Sequence, residues 1–96
     1  MLVHVVLFKF KPETSAGQAD RLEAGLKGLP ALIAEIREFR VGTDIVRSER
    51  SYDLALVSAF DDLAAMQRYQ VHPAHQEVVA LVKACCAGVV AVDFNE

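Results

Sequence analysis

Residues 2–10 read LVHVVLFKF. β-branched and aromatic side chains fill this stretch, which marks it as a strand, and Lys11-Pro12 ends it. Leu2, Val6, Phe8 and Phe10 fall on one face together with His4, and Val3, Val5 and Leu7 fall on the other. Side chains alternate across a strand, so both faces of this one are apolar. Two further stretches behave the same way. Residues 52–60 (YDLALVSAF) set Leu54, Leu56 and Phe60 against Ala55, Val57 and Ala59; residues 89–94 set Val90, Val92 and Phe94 against Val89 and Ala91. A sheet with one side in water alternates apolar with polar residues. These strands do not, so both sides of the sheet need cover.

The segments between them supply cover for one side. Thr14 or Ser15 caps a helix in which Ala19, Leu22, Leu26, Leu29 and Ile33 recur at three and four residues, giving one apolar stripe. Gly25 and Gly28 weaken its end and Leu29-Pro30 breaks it. A strand is expected over residues 36–46, with Gly42 as a bulge, and 47–51 (RSERS) is a polar connection. After the strand at 52–60, Asp61 or Asp62 caps a short helix over 63–70. His72-Pro73 interrupts it, and Pro73 suits the first position of a further helix running to about Cys86. Gly88 precedes the last strand. The order β-α-β-β-α-β specifies an α+β, ferredoxin-like antiparallel sheet with its helices on one face. A large bare apolar face is a liability in a monomer. A two-fold homodimer with its sheets face to face, closing a dimeric α/β barrel, is the simplest remedy.

Ninety-six residues make one domain. A chain of this size buries only roughly 60–65% of its unfolded surface, so association would help it. The net charge is −3 and the ten basic residues are scattered, which argues against nucleic acid or an anionic membrane as partner. No run of about 18 apolar residues occurs, so no transmembrane helix is expected. The start lacks the basic and small-residue pattern of a secretory signal, and the expected compartment is the cytoplasm. Cys85 and Cys86, the two cysteines, are adjacent; they make neither a disulfide framework nor a CxxC motif and read as small helix residues.

Two of the three histidines sit in one motif, YQVHPAH (69–75). If Pro73 opens a helix, His75 lies in its first turn, where the positive end of the helix dipole disfavours imidazolium. Its pKa should then be lowered, leaving it neutral and able to accept a proton near pH 7, as a general base must. The alternative is a residue that merely packs the helix start. His72 takes the cap position and borders the same region. The Tyr69 hydroxyl either reaches the cavity of His75 or belongs to an ordinary core edge; Tyr52 reads as packing. His4, alone on an apolar face, reads as a satisfied core histidine or as a pocket residue. Catalytic zinc wants three convergent ligands, and no third ligand joins these histidines. No serine or cysteine triad and no glycine-rich phosphate loop is present. No metal or other cofactor is expected.

Several of these stretches together resemble one family. The opening HVVLFKFK (4–11), the turn VGTD (41–44), the strand YDLALVSAF (52–60) and the motif YQVHPAH (69–75) are similar, in order and over nearly the whole chain, to the stress-responsive A/B barrel (Dabb) domain. The resemblance implies a ferredoxin-like α+β domain that dimerises into a barrel. One branch, similar to the plant olivetolic acid cyclase, closes a linear polyketide by intramolecular aldol condensation. There a histidine of the His-Pro-x-His motif acts as base and a nearby tyrosine assists it. Those positions match His75 and Tyr69, and a pocket-lining histidine of the first strand matches His4. Some plant members hold magnesium through main-chain carbonyls in a stretch matching about 30–36, which leaves no side-chain signature.

Two functions follow. In the first, a cofactor-free enzyme uses His75 to remove a proton beside a carbonyl, Tyr69 to position or polarise His75 or the carbonyl, and His4 to orient the substrate. The cavity lies between the sheet and the break at His72-Pro73, walled by Val6, Phe8 and Leu56, and takes a small apolar or aromatic carbonyl compound. In the second, the same pocket binds such a ligand without chemistry, or the dimer is a non-catalytic stress protein. Dimeric barrel monooxygenases and isomerases share the fold, and fold alone does not choose among functions.

Overall fold

The computed structural model describes all residues, Met1–Glu96. Its elements run β1 (Leu2–Phe10), α1 (Ala16–Gly28), a 3-10 turn (Leu29–Ala31), β2 (Glu38–Thr43), β3 (Leu54–Phe60), α2 (Leu63–Val71), α3 (Pro73–Cys85) and β4 (Cys86–Asn95). The four strands form one antiparallel sheet in the order β2-β3-β1-β4. This is the ferredoxin-like α+β fold expected from the sequence.

Local chemistry sets the helix starts. Ser15 caps α1: its hydroxyl accepts the Gln18 N–H at 3.1 Å, and the Gln18 side chain accepts the Ser15 N–H at 2.8 Å, a complete capping box. Asp62 caps α2 by accepting the Ala65 N–H at 2.8 Å, while Asp61 is drawn off to Arg37 at 2.9 Å. Leu22, Leu26, Leu29 and Ile33 of the predicted stripe are buried, and Ala19 is half-buried. They pack with Tyr69 of α2 against Val6, Leu56 and Phe60, so the helices and one sheet face enclose a single core.

Three boundaries and one bulge differ from the sequence reading. First, β2 spans six residues rather than 36–46. After Thr43 the Asp44 carboxylate accepts the Arg47 N–H at 2.7 Å and bends the chain into a turn, with Arg47 at φ 56°. Ile45 and Val46 are thereby exposed despite their strand propensity. Second, β3 starts at Leu54, because Asp53 turns back to β1: its N–H donates to the Phe8 carbonyl at 2.9 Å and its carboxylate accepts the Phe10 N–H at 2.7 Å. Third, Gly42 is no bulge, since β2 and β3 pair without a shift from Glu38↔Ala59 to Thr43↔Leu54; the irregularity lies between Lys9 and Phe10, against β4. Fourth, α3 ends at Cys85 and β4 begins at once. The Cys85 carbonyl accepts both the Lys11 N–H (2.8 Å) and the Thr14 hydroxyl (2.7 Å), which ties the helix end to the end of β1.

The face away from the helices is an apolar ladder. Val3 stands between Ala59 and Phe94, Val5 between Val57 and Val92, and Leu7 between Ala55 and Val90. Val92 is 65% exposed, Val90 48% and Phe94 45%. Glu38 and Arg40 bound this ladder at the β2 edge. No helix is long and apolar enough to cross a membrane.

Candidate functional site

The site is built by the break between α2 and α3. In an unbroken helix the Gln70 carbonyl would accept the N–H four residues on, from Ala74. Here His72, at the cap of α3, takes that N–H on its own Nδ1 at 3.0 Å. Pro73 has no N–H to offer. The freed Gln70 carbonyl accepts instead from the side chains of His75 (Nδ1, 3.0 Å) and Gln76 (Nε2, 2.7 Å).

This fixes the state of His75. A carbonyl can only accept, so His75 Nδ1 carries the proton, and in the neutral ring Nε2 holds the free lone pair. Burial lowers the His75 pKa from its ordinary 6.5; the Gln70 carbonyl pulls it up, and charge on His4 pushes it further down. The sequence predicted the direction but assigned it to the helix dipole. The principal cause is instead desolvation.

Tyr69 is the hub of the site. Its buried ring packs on Phe60 (centroids 4.8 Å) and on His75 (4.5 Å), with the His4 ring at 6.5 Å. Burial pushes its phenol pKa far above 10, so the hydroxyl stays protonated. That hydroxyl has no hydrogen-bond partner in the chain and is not sealed off; it borders open space.

The open space is a cavity of about 230 Å³ between the sheet and the helices. Val6, Phe8 and Leu56 form its floor, Val78 and Val82 of α3 its roof, and Val89 and Ala91 of β4 its side. The polar groups on its wall belong to His4, Tyr69, Gln70 and His75; no charged side chain lines it. The structure therefore brings together His75, Tyr69, His4, Val6, Phe8 and Leu56 of the sequence-predicted set. His72 is the exception. It lies outside the wall, because its Nδ1 is committed to the helix cap, and it acts on the cavity only through the carbonyl it frees.

Asp93 was not foreseen. It pairs with His4 across β1 and β4, and its carboxylate accepts the His4 Nδ1–H. The available signal was one carboxylate in the otherwise apolar stretch VVAVDF (89–94). On the other side of His4, buried Ser58 donates to the His4 carbonyl at 3.0 Å. No group of three or more His, Cys, Asp or Glu side chains converges to hold a metal ion.

This arrangement sits on a known scaffold. Residues 2–96 match the profile of the stress responsive A/B barrel domain, Dabb. The chain belongs to the Dabb family. An uncharacterized protein of Streptomyces coelicolor is 36% identical over 94 residues, which cover 95% of this Dabb chain and 96% of the relative. A dimeric ferredoxin-like protein of unknown function from Thermobifida fusca superposes with a TM-score of 0.90 at 29% identity, over 99% of this chain and 90% of that one. A hydroxynitrile lyase from Passiflora edulis shares the Dabb chain's fold at a TM-score of 0.86, over 99% and 94% of the two chains. At 23% identity that likeness is one of fold alone.

Proposed function

We propose that the cavity takes a small, uncharged apolar or aromatic carbonyl compound, and that His75 removes a proton from the carbon beside the carbonyl. The observation that carries this is His75 itself. It is a neutral imidazole with Nδ1 tied to a backbone carbonyl, which leaves the Nε2 lone pair as its free basic atom in the cavity wall. The size of the cavity supports a small occupant: about 230 Å³ is below the roughly 300–1,000 Å³ of pockets for drug-sized ligands. The absence of any lining cation favours a neutral compound over a carboxylate or phosphate. Tyr69, held protonated by burial, supplies a donor for the carbonyl oxygen. An intramolecular aldol closure, as in a polyketide cyclase, is one reaction this base could begin.

A second reading, binding without turnover, is favoured by one feature. The unpartnered Tyr69 hydroxyl in an apolar pocket is what a simple carbonyl-binding site requires. Acetophenone in deuterated buffer separates the two. Under the first reading the protein accelerates deuterium incorporation into the methyl group, and His75→Ala abolishes it. Ligand-induced shifts of the His75 resonances without any exchange would establish the second reading in its place.

The homodimer belongs to the same proposal. The bare ladder of Val90, Val92 and Phe94 supports it, and so does the dimeric Thermobifida fusca relative. A net charge of −3 offers little to a nucleic acid backbone. A cytoplasmic location fits two unpaired thiols. Burial pushes the Cys86 thiol up to about 11, which keeps it unreactive.

A further inference from the structure

We propose that the loop between β2 and β3 is a docking knob for a second copy of this chain, with Ile45 and Val46 of each copy seated in a hollow on the outer sheet face of the other. This rests on the homodimer reading and names the surfaces the two copies use. The loop holds two aliphatic side chains in water. Ile45 is 89% exposed and Val46 75%, more than any other large apolar residue of the chain. Their position is fixed. The Asp44 carboxylate accepts the Arg47 N–H at 2.7 Å, the Asp44 N–H donates to the Asp53 carbonyl at 3.0 Å, and the Arg47 guanidinium reaches the Asp53 carboxylate at 2.7 Å. Arg47 adopts φ 56°, a conformation unfavourable for a residue with a Cβ. Singly exposed apolar residues are ordinary; an adjacent pair held rigidly at the margin of a bare apolar face extends that face.

The hollow lies on the outer face of the same sheet. Val5, Leu7, Val90 and Val92 surround a depression of about 80 Å³ between β1 and β4, the bulk of one aliphatic side chain, and every residue lining it is apolar. The loop cannot fill the hollow of its own chain. In the order β2-β3-β1-β4, with strands spaced about 4.8 Å apart, β2 stands roughly 12 Å from the middle of β1 and β4. A two-fold axis running along the strands brings the two features together. It carries β2 of one copy over β4 of the other and keeps the strand ends level. The register shows which ends meet. Thr43 pairs with Leu54, Leu54 with Phe8 and Phe8 with Val89, so the loop leaves the sheet one residue beyond the level of Leu7 and Val90. Ile45 and Val46 then stand beside the partner's Leu7 and the partner's Val90, and the contact is made twice by symmetry. Size argues the same way. The strands have nine, six, seven and ten residues, and every second side chain faces outward. That gives about sixteen residues, against roughly 20–30 a side in a stable interface. The flanking loops supply the remaining contact.

The test uses the full chain and two readouts. Ile45→Ser/Val46→Ser removes the apolar groups without adding charge, at positions already in water in the single chain, so its circular dichroism spectrum should match the wild type. Its dimer Kd in analytical ultracentrifugation should rise at least tenfold, while Leu63→Ser, an exposed position on the helical side, should leave Kd unchanged. In a dimer mixed from isotope-labelled and unlabelled copies, isotope-filtered NMR should show methyl contacts from Ile45 of one copy to the partner's Val90. A wild-type dimer whose Kd ignores the serine variant, or whose Ile45 methyls meet residues outside the hollow, overturns this inference alone. A wild-type monomer overturns the homodimer reading and the knob together.

Discussion

His75 Nδ1 lies 3.0 Å from the carbonyl oxygen of Gln70, a carbonyl that the extended backbone of His72 at the end of α2 leaves without its helical partner, while the His72 side chain holds the Ala74 N–H at 3.0 Å. The two histidines of the motif are thus coupled through the backbone rather than through contact. The first ends one helix and caps the next, and this break releases the acceptor that orients the second. Proline between them removes the one other donor position at the break.

His72→Ala should therefore have two effects. Loss of the cap costs about 1 kcal/mol of stability, read from the midpoint of urea unfolding. The Ala74 N–H becomes free to compete for the Gln70 carbonyl, so His75 should lose its single tautomer in nitrogen-15 spectra. His72→Asn, which can still cap, should recover most of both. A destabilised His72→Ala protein with an unchanged His75 tautomer would break the proposed coupling.

The lowered pKa of His75 makes stability depend on pH. The unfolded chain titrates this ring near 6.5, the folded chain below it. Between the two values the unfolded state binds a proton that the native state does not. The contribution of His75 is thus complete above about pH 6.5 and is lost as the pH falls toward the folded value. Asp61, held below 3.8 by its hydrogen bond to Arg37, changes charge only in stronger acid and leaves this window clear. Thermal midpoints measured from pH 7.5 to 5 should fall, and His75→Gln should flatten the slope. An equal slope in the variant would refute the assignment.

Tyr69→Phe isolates the hydroxyl from the ring. The ring's packing on Phe60 and His75 is retained, and no protein group loses a partner. Stability should stay within about 1 kcal/mol of the wild type. Acetophenone affinity, measured by calorimetry, should weaken by a few-fold up to about tenfold, the worth of one hydrogen bond. Unaltered affinity would mean that the ligand does not use this donor. Tyr69→Ala, by contrast, should cost about 3–5 kcal/mol through the hole it leaves.

The element order and the one-sided helical layer were legible because apolar periodicity and its breaks mark β-α-β-β-α-β, whose crossovers put the helices on one face; the apolar outer face was legible because Val5 and Val6 are both apolar. The ends of β2 and β3 were not legible. They are set by the carboxylates of Asp44 and Asp53 capturing backbone N–H groups, and such local bonds override the propensity of Ile45 and Val46. The site was half visible. Tyr69 and His75 stand out as residue types at helical positions. Asp93 required the β1–β4 register, which pairs residues 89 positions apart, and the Gln70 carbonyl carries no side-chain signature at all.

Val92→Glu tests the apolar ladder. Val92 is 65% exposed in the single chain and lies on the edge strand β4, level with Val5 and Val57 and midway along the face away from the helices. In a monomer a glutamate there stays in water, and its cost is limited to strand propensity, at most about 1 kcal/mol. In a face-to-face dimer the same carboxylate, twice over by symmetry, is carried into an apolar interface without a partner, which costs several kcal/mol. The variant should therefore elute as a monomer in gel filtration with light scattering, while the wild type elutes as a dimer at micromolar concentration. Its thermal midpoint should also cease to depend on protein concentration. The cavity lies on the opposite side of the sheet and takes nothing from this ladder's outward side chains other than the strands that carry them, so acetophenone binding should survive in the monomeric variant. A wild type that is already monomeric would remove the barrel. A Val92→Glu protein that remains dimeric would move the interface to another face.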